Sequence, residues 1–218
     1  MTNPVPVDLS TYPRREHFAH YRDVVPCTYS MTAEIEVTRF VTAIKATSRR
    51  SYISQIWALA SIVNTHDEFR MTVTDSGALA VWPSLDPSFT IFHPAQETFS
   101  SVWVPFDEDF GAFHEAAART IEDYADATAL FPQGPPPGNM FNVSSLPWTS
   151  FTGFTLHIDE GSKHLAPIFT LGRYVERDGR TLLPITAQVH HAVADGFHTS
   201  RLLNELQEMF AEPSWLGD

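Results

Sequence analysis

Residues 182–210 constrain this chain more than any other stretch. Leu182 to Val189 is an apolar run with period-two character and reads as a strand. Leu202, Leu203, Leu206, Met209 and Phe210 recur at helical spacing. Between them lies His190-His191-Ala192-Val193-Ala194-Asp195-Gly196. Asp195 stands where a helix N-cap belongs, and Gly196 permits a close backbone approach or an unusual turn. Strand, tight turn and helix together hold a histidine rigidly at the edge of a cleft.

A neutral imidazole is the usual general base near neutral pH. Asp195 follows His191 across the turn, so its carboxylate either orients that imidazole or holds the turn and pairs with a distant cation. A lone histidine is most often a satisfied structural residue; here the acid, the glycine and the strand-to-helix junction favour catalysis at His191. His190, His191, Asp195 and His198 are also possible metal ligands. Adjacent strand residues face opposite ways, however, and no cysteine pair or His-Glu-x-x-His helix accompanies them, so no metal is expected.

The 218 residues, 43% of them hydrophobic, suffice for one substantial core, and a single domain over 1–218 is the simplest count. The net charge of -12 argues against a nucleic-acid partner but not against a small anionic co-substrate, which needs only a few local cations. Cys27 is the only cysteine, so no intramolecular disulfide forms. Residues 1–10 lack the basic and apolar regions of a signal peptide, and no apolar stretch reaches membrane-spanning length. A cytoplasmic protein without membrane contact is the expectation.

Residues 11–22 read as a short helix with Thr11 as cap and Pro13 in the first turn. Arg14 and Arg15 sit poorly there for the helix dipole; they are either a solvated pair or supply a partner for a buried carboxylate. Pro26–Met31 begins a strand, and helices follow over Val37–Thr47 and Tyr52–Val63. Asp75-Ser76-Gly77 joins a hairpin between 69–73 and 78–82. Phe89–His93 and Ser101–Val104 are further strands, and Phe106–Asp126 is an amphipathic helix. The proline-rich stretch 130–139 reads as a surface loop rather than a linker. Phe154 and Leu156 fall on a strand after Phe141–Trp148. Beyond a short polar break, Ala166–Thr170 continues through an Arg177-Asp178-Gly179 hairpin into the strand before His191.

The motif Gln188-Val189-His190-His191-Ala192-Val193-Ala194-Asp195-Gly196-Phe197-His198 resembles the signature of chloramphenicol acetyltransferases. Its His-His-x-x-x-Asp-Gly core alone names only a wider superfamily of acyltransferases and condensation domains. Pro13-Arg14-Arg15-Glu16-His17-Phe18, Asn142-x-Ser144-x-Leu146-Pro147-Trp148 and Phe89-Thr90-x-Phe92-His93 extend the resemblance from about Tyr12 to Met209 in the family's order. Three positions depart from the family pattern: His20 where phenylalanine is common, Ser88 where a larger polar residue is usual, and Ile53 where proline is common. The first two bear on acceptor affinity and leave the acid-base residues untouched.

What the resemblance implies is specific. The fold would be an α/β (α+β) two-layer sandwich, with a mixed, largely antiparallel sheet and helices on one face: the CoA-dependent acyltransferase fold. The reaction would be acetyl transfer from acetyl-CoA to the primary hydroxyl of chloramphenicol, by direct attack and without an acyl-enzyme. His191 would be the base, Ser144 the oxyanion donor, Thr170 the holder of an active-site water, and Arg14 the partner of Asp195. Tyr21, Cys27, Tyr29, Thr90, Phe99, Phe131, Asn142, Leu156 and His20 would line the acceptor site. Arg50, Tyr52, Phe154, Arg173 and Tyr174 would meet CoA. The resemblance further implies a homotrimer with sites between subunits. His191 would come from one subunit, and Tyr21, Cys27, Tyr29, Phe99, Phe131 and Ser144 largely from its neighbour. On the residues alone the readings are plainer. Ser144 and Thr170 are ordinary strand residues, Cys27 is a small hydrophobe, and Arg50 and Arg173 are solvated charges. Two other functions stay open: the same chemistry on another hydroxyl compound, and a non-catalytic binder that sequesters the drug.

Overall fold

The computed structural model describes residues 3–157 and 164–217. Ten strands and five α-helices build two sheets. In chain order they are β1 (Val5–Pro6), α1 (Arg15–Ala19), β2 (Thr28–Glu36), α2 (Thr38–Lys45), α3 (Ser51–Thr65), β3 (Met71–Val73), β4 (Leu79–Val81) and β5 (Asp86–His93). There follow β6 (Thr98–Trp103), α4 (Phe110–Asp123), β7 (Met140–Leu146), β8 (Ile168–Gly172), β9 (Val175–Arg177), β10 (Arg180–His190) and α5 (Gly196–Ala211).

The large sheet runs β2-β10-β8-β7-β5-β6, with β9 against β10. Its β5–β7 and β7–β8 pairs are parallel, and the others are antiparallel. Period-two alternation sorts its side chains. Phe89, Phe141, Val143, Phe169, Leu171, Ile185, Ala187 and Val189 are buried in one core with Ile56 and Leu59 of α3, Phe113 of α4 and Leu202 and Leu206 of α5. This is the two-layer arrangement of a mixed, largely antiparallel sheet under helices. The opposite face carries Ser88, Thr90, Asn142, Ser144, Thr170, Thr186 and Gln188, which makes it polar where the helix-covered face is oily. Thr170 and Thr186 are nonetheless almost fully buried.

A second sheet, β1-β4-β3, is small. It closes a satellite core of Phe18, Met71, Leu79, Leu165, Ala192 and Val193, so α1 and the turn after β10 pack on it together. The expected hairpins are present. Gly77 lies at φ +82°, and Asp178 and Gly179 at +52° and +74°, where glycine and Asp are the residues that tolerate the left-handed region.

Four expectations change. The first helix begins at Arg15, not near Thr11, and Arg14 is its uncapped N-terminal flank. It passes at once into a single π-helical stretch, His20–Val24, which the periodicity did not reveal. Phe154 and Leu156 are in irregular chain rather than a strand. Their alternation reflects a segment whose Leu156 N–H donates to the Gln188 side chain at 2.8 Å instead of to a ladder partner. Gly196 starts α5 without positive φ, and a Cβ there would meet no heavy atom within 4 Å, so the helix entry depends on Asp195 and not on the glycine. The polar break expected after Leu156 falls in part on 158–163, outside the described residues.

Candidate active site

β10 delivers His191 to the end of the sheet, and the amides from His191 to Ala194 each have an acceptor. His191 N–H donates to the Cys27 carbonyl at 3.0 Å, and Val193 and Ala194 N–H to the His190 carbonyl at 3.1 and 3.2 Å. Ala192 N–H donates to His190 Nδ1 at 3.2 Å, and Asp195 N–H reaches His198 Nδ1 at 3.2 Å. A turn buried without such partners would cost about 1–3 kcal/mol per orphaned group. His190 is almost fully buried, and burial first, then the charges of His164 and His191, lowers its pKa to about 4.

The His191 ring lies between two tyrosines. Tyr21 stacks on it at 4.0 Å between centroids with 9° between planes, and Tyr29 meets it edge-on at 5.3 Å. The Tyr29 hydroxyl is itself tied to Thr199 of α5 at 2.6 Å, and burial pushes its pKa up. His20 stands edge-on to Tyr21 at 4.9 Å and is exposed. His191 Nδ1 is buried without a hydrogen-bond partner among the described residues.

Asp195 does not touch His191. Of the two roles open to that carboxylate, the structure selects holding the turn. Its Oδ2 accepts from Arg14 Nη1 at 2.5 Å; its Oδ1 meets Phe197 N–H at 3.0 Å and His198 Nδ1 at 2.8 Å. Partial burial raises the pKa of this carboxyl, but the hydrogen bonds and charges of Arg14 and His198 outweigh it and hold the group at about 2. His198 thus closes a capping box at the start of α5. The sequence suggested it only as a possible metal ligand; its place at the third helical position after an acidic cap was the available signal.

Ser144 and Thr170 lie elsewhere on the sheet. They are neighbours in the β7–β8 register with hydroxyls 3.3 Å apart, and the Ser144 hydroxyl also reaches the Phe169 carbonyl at 3.5 Å. Ser144 opens onto a cavity of about 510 Å³ on the polar face. Ser88, Thr90, Ser101 and Asn142 give that cavity a hydroxyl and amide floor; Phe99, Phe131, Trp148, Phe154, Leu156 and Ile168 are among its apolar walls. Ser88 is not a void in the pattern, since its hydroxyl pairs with Ser101 at 2.9 Å.

The ladder fixes how far apart the two groups are. Thr170 pairs with Ser144 on one side and Thr186 on the other. His191 is five residues beyond Thr186, about 16 Å along β10, and Ser144 is two strands, about 10 Å, across. Proton transfer needs about 2.6–3.2 Å between heavy atoms, so His191 and Ser144 of one chain cannot serve one reacting group. The grouping also differs from the expectation in one respect: Tyr21, Cys27 and Tyr29 surround the His191 of their own chain, while Phe99, Phe131, Thr90, Asn142 and Leu156 accompany Ser144.

The residues expected at CoA disperse likewise. Arg50 precedes α3 and pairs with Glu122 at 2.5 Å, and its N–H is capped by His114 Nε2 at 2.8 Å. Tyr174 spends its hydroxyl on Ser51 at 2.8 Å and Gln55 at 2.5 Å. Tyr52 points inward: its hydroxyl donates to the Val143 carbonyl at 3.4 Å, and desolvation pushes its pKa up to about 12 against the hydrogen bonds of Thr90. Tyr52 therefore serves the sheet beneath the cavity and offers no hydroxyl to a nucleotide. Arg173 is exposed, and Phe154 stands in the cavity wall beside Phe151.

A histidine-bearing turn follows β10, the strand next to the edge strand β2, on a sheet covered by helices on one face, and this is the fold of solved acyltransferases. The structure matches a solved chloramphenicol acetyltransferase with TM-score 0.83 and 23% identity, over 96% of this chain and all of that one. A solved dihydrolipoamide acetyltransferase of Azotobacter vinelandii matches over the whole of both chains with TM-score 0.70 and 18% identity. At the level of sequence the match is closer. The family model described as chloramphenicol acetyltransferase covers residues 2–207, and the chain belongs to that family. Chloramphenicol acetyltransferase of Streptomyces acrimycini is 60% identical over 98% of this chain and 97% of its own length. The enzyme of Clostridium perfringens is 44% identical over 97% of each.

Proposed function

We propose that this chain is an acetyl-CoA-dependent O-acetyltransferase that acetylates the primary hydroxyl of chloramphenicol. The reading is carried by one observation: in a chain of this family, an imidazole with no carboxylate partner among the described residues, and a serine hydroxyl that opens onto a large cavity with the buried Thr170 hydroxyl behind it, occupy separate parts of the sheet. Chloramphenicol offers an aromatic ring and hydroxyls, which suit walls of Phe99, Phe131 and Leu156 over a floor of Thr90 and Asn142. Acetyl-CoA is a substrate here, and the thioester carbon is where the new ester bond forms.

His191 removes the proton from the acceptor hydroxyl as that oxygen attacks the thioester carbonyl carbon. Ser144 donates its hydroxyl to the oxyanion, with Thr170 beside it. The intermediate collapses, the carbon–sulfur bond breaks, and the proton held by His191 passes to the leaving thiolate. Asp195 and Arg14 hold the frame and carry no proton. Because one chain separates His191 from Ser144, the working site is formed between two copies, and a closed homotrimer is the assembly in which each interface repeats it. No helix among the described residues is long and apolar enough to cross a membrane; the place of action is read as the cytoplasm, where acetyl-CoA is at hand.

The test is acceptor-dependent release of CoA thiol. Wild type should release thiol with acetyl-CoA and chloramphenicol, and His191→Ala should not. Release with other hydroxyl acceptors but not chloramphenicol would move the reading to a different acceptor, and binding without release to a sequestering protein.

A further inference from the structure

Five successive amides, from His191 to Asp195, leave the last strand and enter the helix. Three of them end on carbonyls, and Asp195 N–H faces the His198 ring. The fifth, Ala192 N–H, is buried and is met only by the imidazole of the preceding residue but one in the motif, His190 Nδ1, at 3.2 Å. The His190 carbonyl takes Val193 and Ala194 at the same time. One residue therefore receives three of the five amides that shape the turn under His191. Its backbone is in turn anchored opposite Thr28 at the end of the β2–β10 ladder.

We propose that His190 is a positioning residue for the acetyl transfer: as a neutral imidazole it accepts the Ala192 amide on Nδ1 and carries its proton on Nε2, which is buried without a partner among the described residues, and so fixes the backbone that aims the His191 ring. The inference rests on the reading of His191 as the base. The chemistry asks for an acceptor at the Nδ1 position. An imidazole protonated there would place a donor against a donor, and an apolar side chain would leave the amide orphaned inside the satellite core. His190 touches no substrate and acts through His191.

Asparagine places its carbonyl oxygen close to where Nδ1 lies, whereas glutamine places it near Nε2. The two are similar in polarity and neither titrates. His190→Asn should keep kcat within a few-fold of wild type. His190→Gln should lower kcat by about 10²-fold, the scale of a 1 Å misplacement of a reacting group, with KM for acetyl-CoA and chloramphenicol unchanged. In a His191→Ala background the same two substitutions should leave the residual rate equal. Equal loss in His190→Asn and His190→Gln with His191→Ala inactive, or no loss in either, would overturn the proposal. An active His191→Ala enzyme would overturn the reading of His191 itself. Imidazole nitrogen NMR of the wild type provides the check that does not use activity: Nδ1 of His190 should be the unprotonated nitrogen, and a proton found there would also overturn the proposal. If His190→Gln does not fold while His190→Asn does, the acceptor is required for the turn itself, and the NMR result alone then decides.

Discussion

The turn under His191 and the cavity over Ser144 are built by opposite means. In the turn the backbone donors from His191 to Ala194 are met, Tyr21 stacks on the His191 ring, and Asp195 is gripped from two sides. In the cavity Ser144 holds only long contacts of 3.3 and 3.5 Å, the walls include the exposed side chains of Phe99, Phe131 and Trp148, and one wall is irregular chain hung on Gln188. On the proposed reading, a base must be aimed within a fraction of an ångström, which fits a closely supported turn, and an acceptor pocket must open to ligand, which fits hydroxyls and aromatics with capacity to spare.

Substitutions should divide along the same line. Removing the proposed base is the largest: His191→Ala should lower kcat about 10²–10⁴-fold while the melting temperature stays near wild type, because among the described residues the ring makes aromatic contacts and no side-chain hydrogen bond. A large fall in melting temperature would assign His191 to the framework. Ser144→Ala should lower kcat about 10²–10³-fold with no change in chloramphenicol KM, as expected of an oxyanion donor that the ground state uses little. A change confined to KM would place Ser144 in acceptor binding instead.

The Arg14–Asp195 pair should show itself mainly in stability. Breaking a buried pair from one side costs about 3–5 kcal/mol; Asp195 is 32% exposed, so Arg14→Ala should fall at or below the lower end. The pH dependence has a definite sign. The folded-state pKa of Asp195 is depressed to about 2 from an ordinary 3.8, so its stabilisation is present above about pH 4 and is lost as pH falls toward 2. Denaturant titrations between pH 2 and 5 should show the gap between wild type and Asp195→Asn closing over that window by about 1–2 kcal/mol. A gap independent of pH would mean that the carboxylate charge is not what holds the turn.

The smallest effect belongs to the cavity wall. Gln188→Leu removes the acceptor for Leu156 N–H and should raise chloramphenicol KM by about fivefold, the worth of one ordinary hydrogen bond, with kcat unchanged. Steady-state kinetics at saturating acetyl-CoA would measure it; a fall in kcat instead would tie Gln188 to the reacting groups.

The elements legible in the sequence were those with a clean period or a turn residue forced by backbone conformation. The change from alternation over Leu182–Val189 to helical spacing after Asp195 marked β10 and α5, and Asp178-Gly179 marked the hairpin before them. A two-residue strand such as β1 has no period to read, and its pairing with β4 depends on tertiary packing alone. Phe154 and Leu156 alternate like a strand, but alternation cannot say whether the backbone bonds to a neighbouring strand or to a side chain. Arg14 and Asp195 were paired correctly through resemblance, since their separation of 181 residues leaves no local trace. The division of the site was hidden for a similar reason. Motif order records which residues matter, while tertiary packing decides which of them share a place: the β2–β10 register sets Tyr29, and the π-helical stretch sets Tyr21, beside their own His191.

The central claim, that His191 of one chain works with Ser144 of another, is tested by mixing two crippled proteins. His191→Ala and Ser144→Ala, each assayed alone by thiol release, should have little activity. Co-refolded, they should recover a substantial fraction of wild-type activity, because some interfaces then join an intact His191 to an intact Ser144. If the co-refolded mixture, with mixed oligomers demonstrated by mass spectrometry, stayed at the sum of its parts, both residues would have to act within one chain, and the account of a site assembled between copies would be wrong.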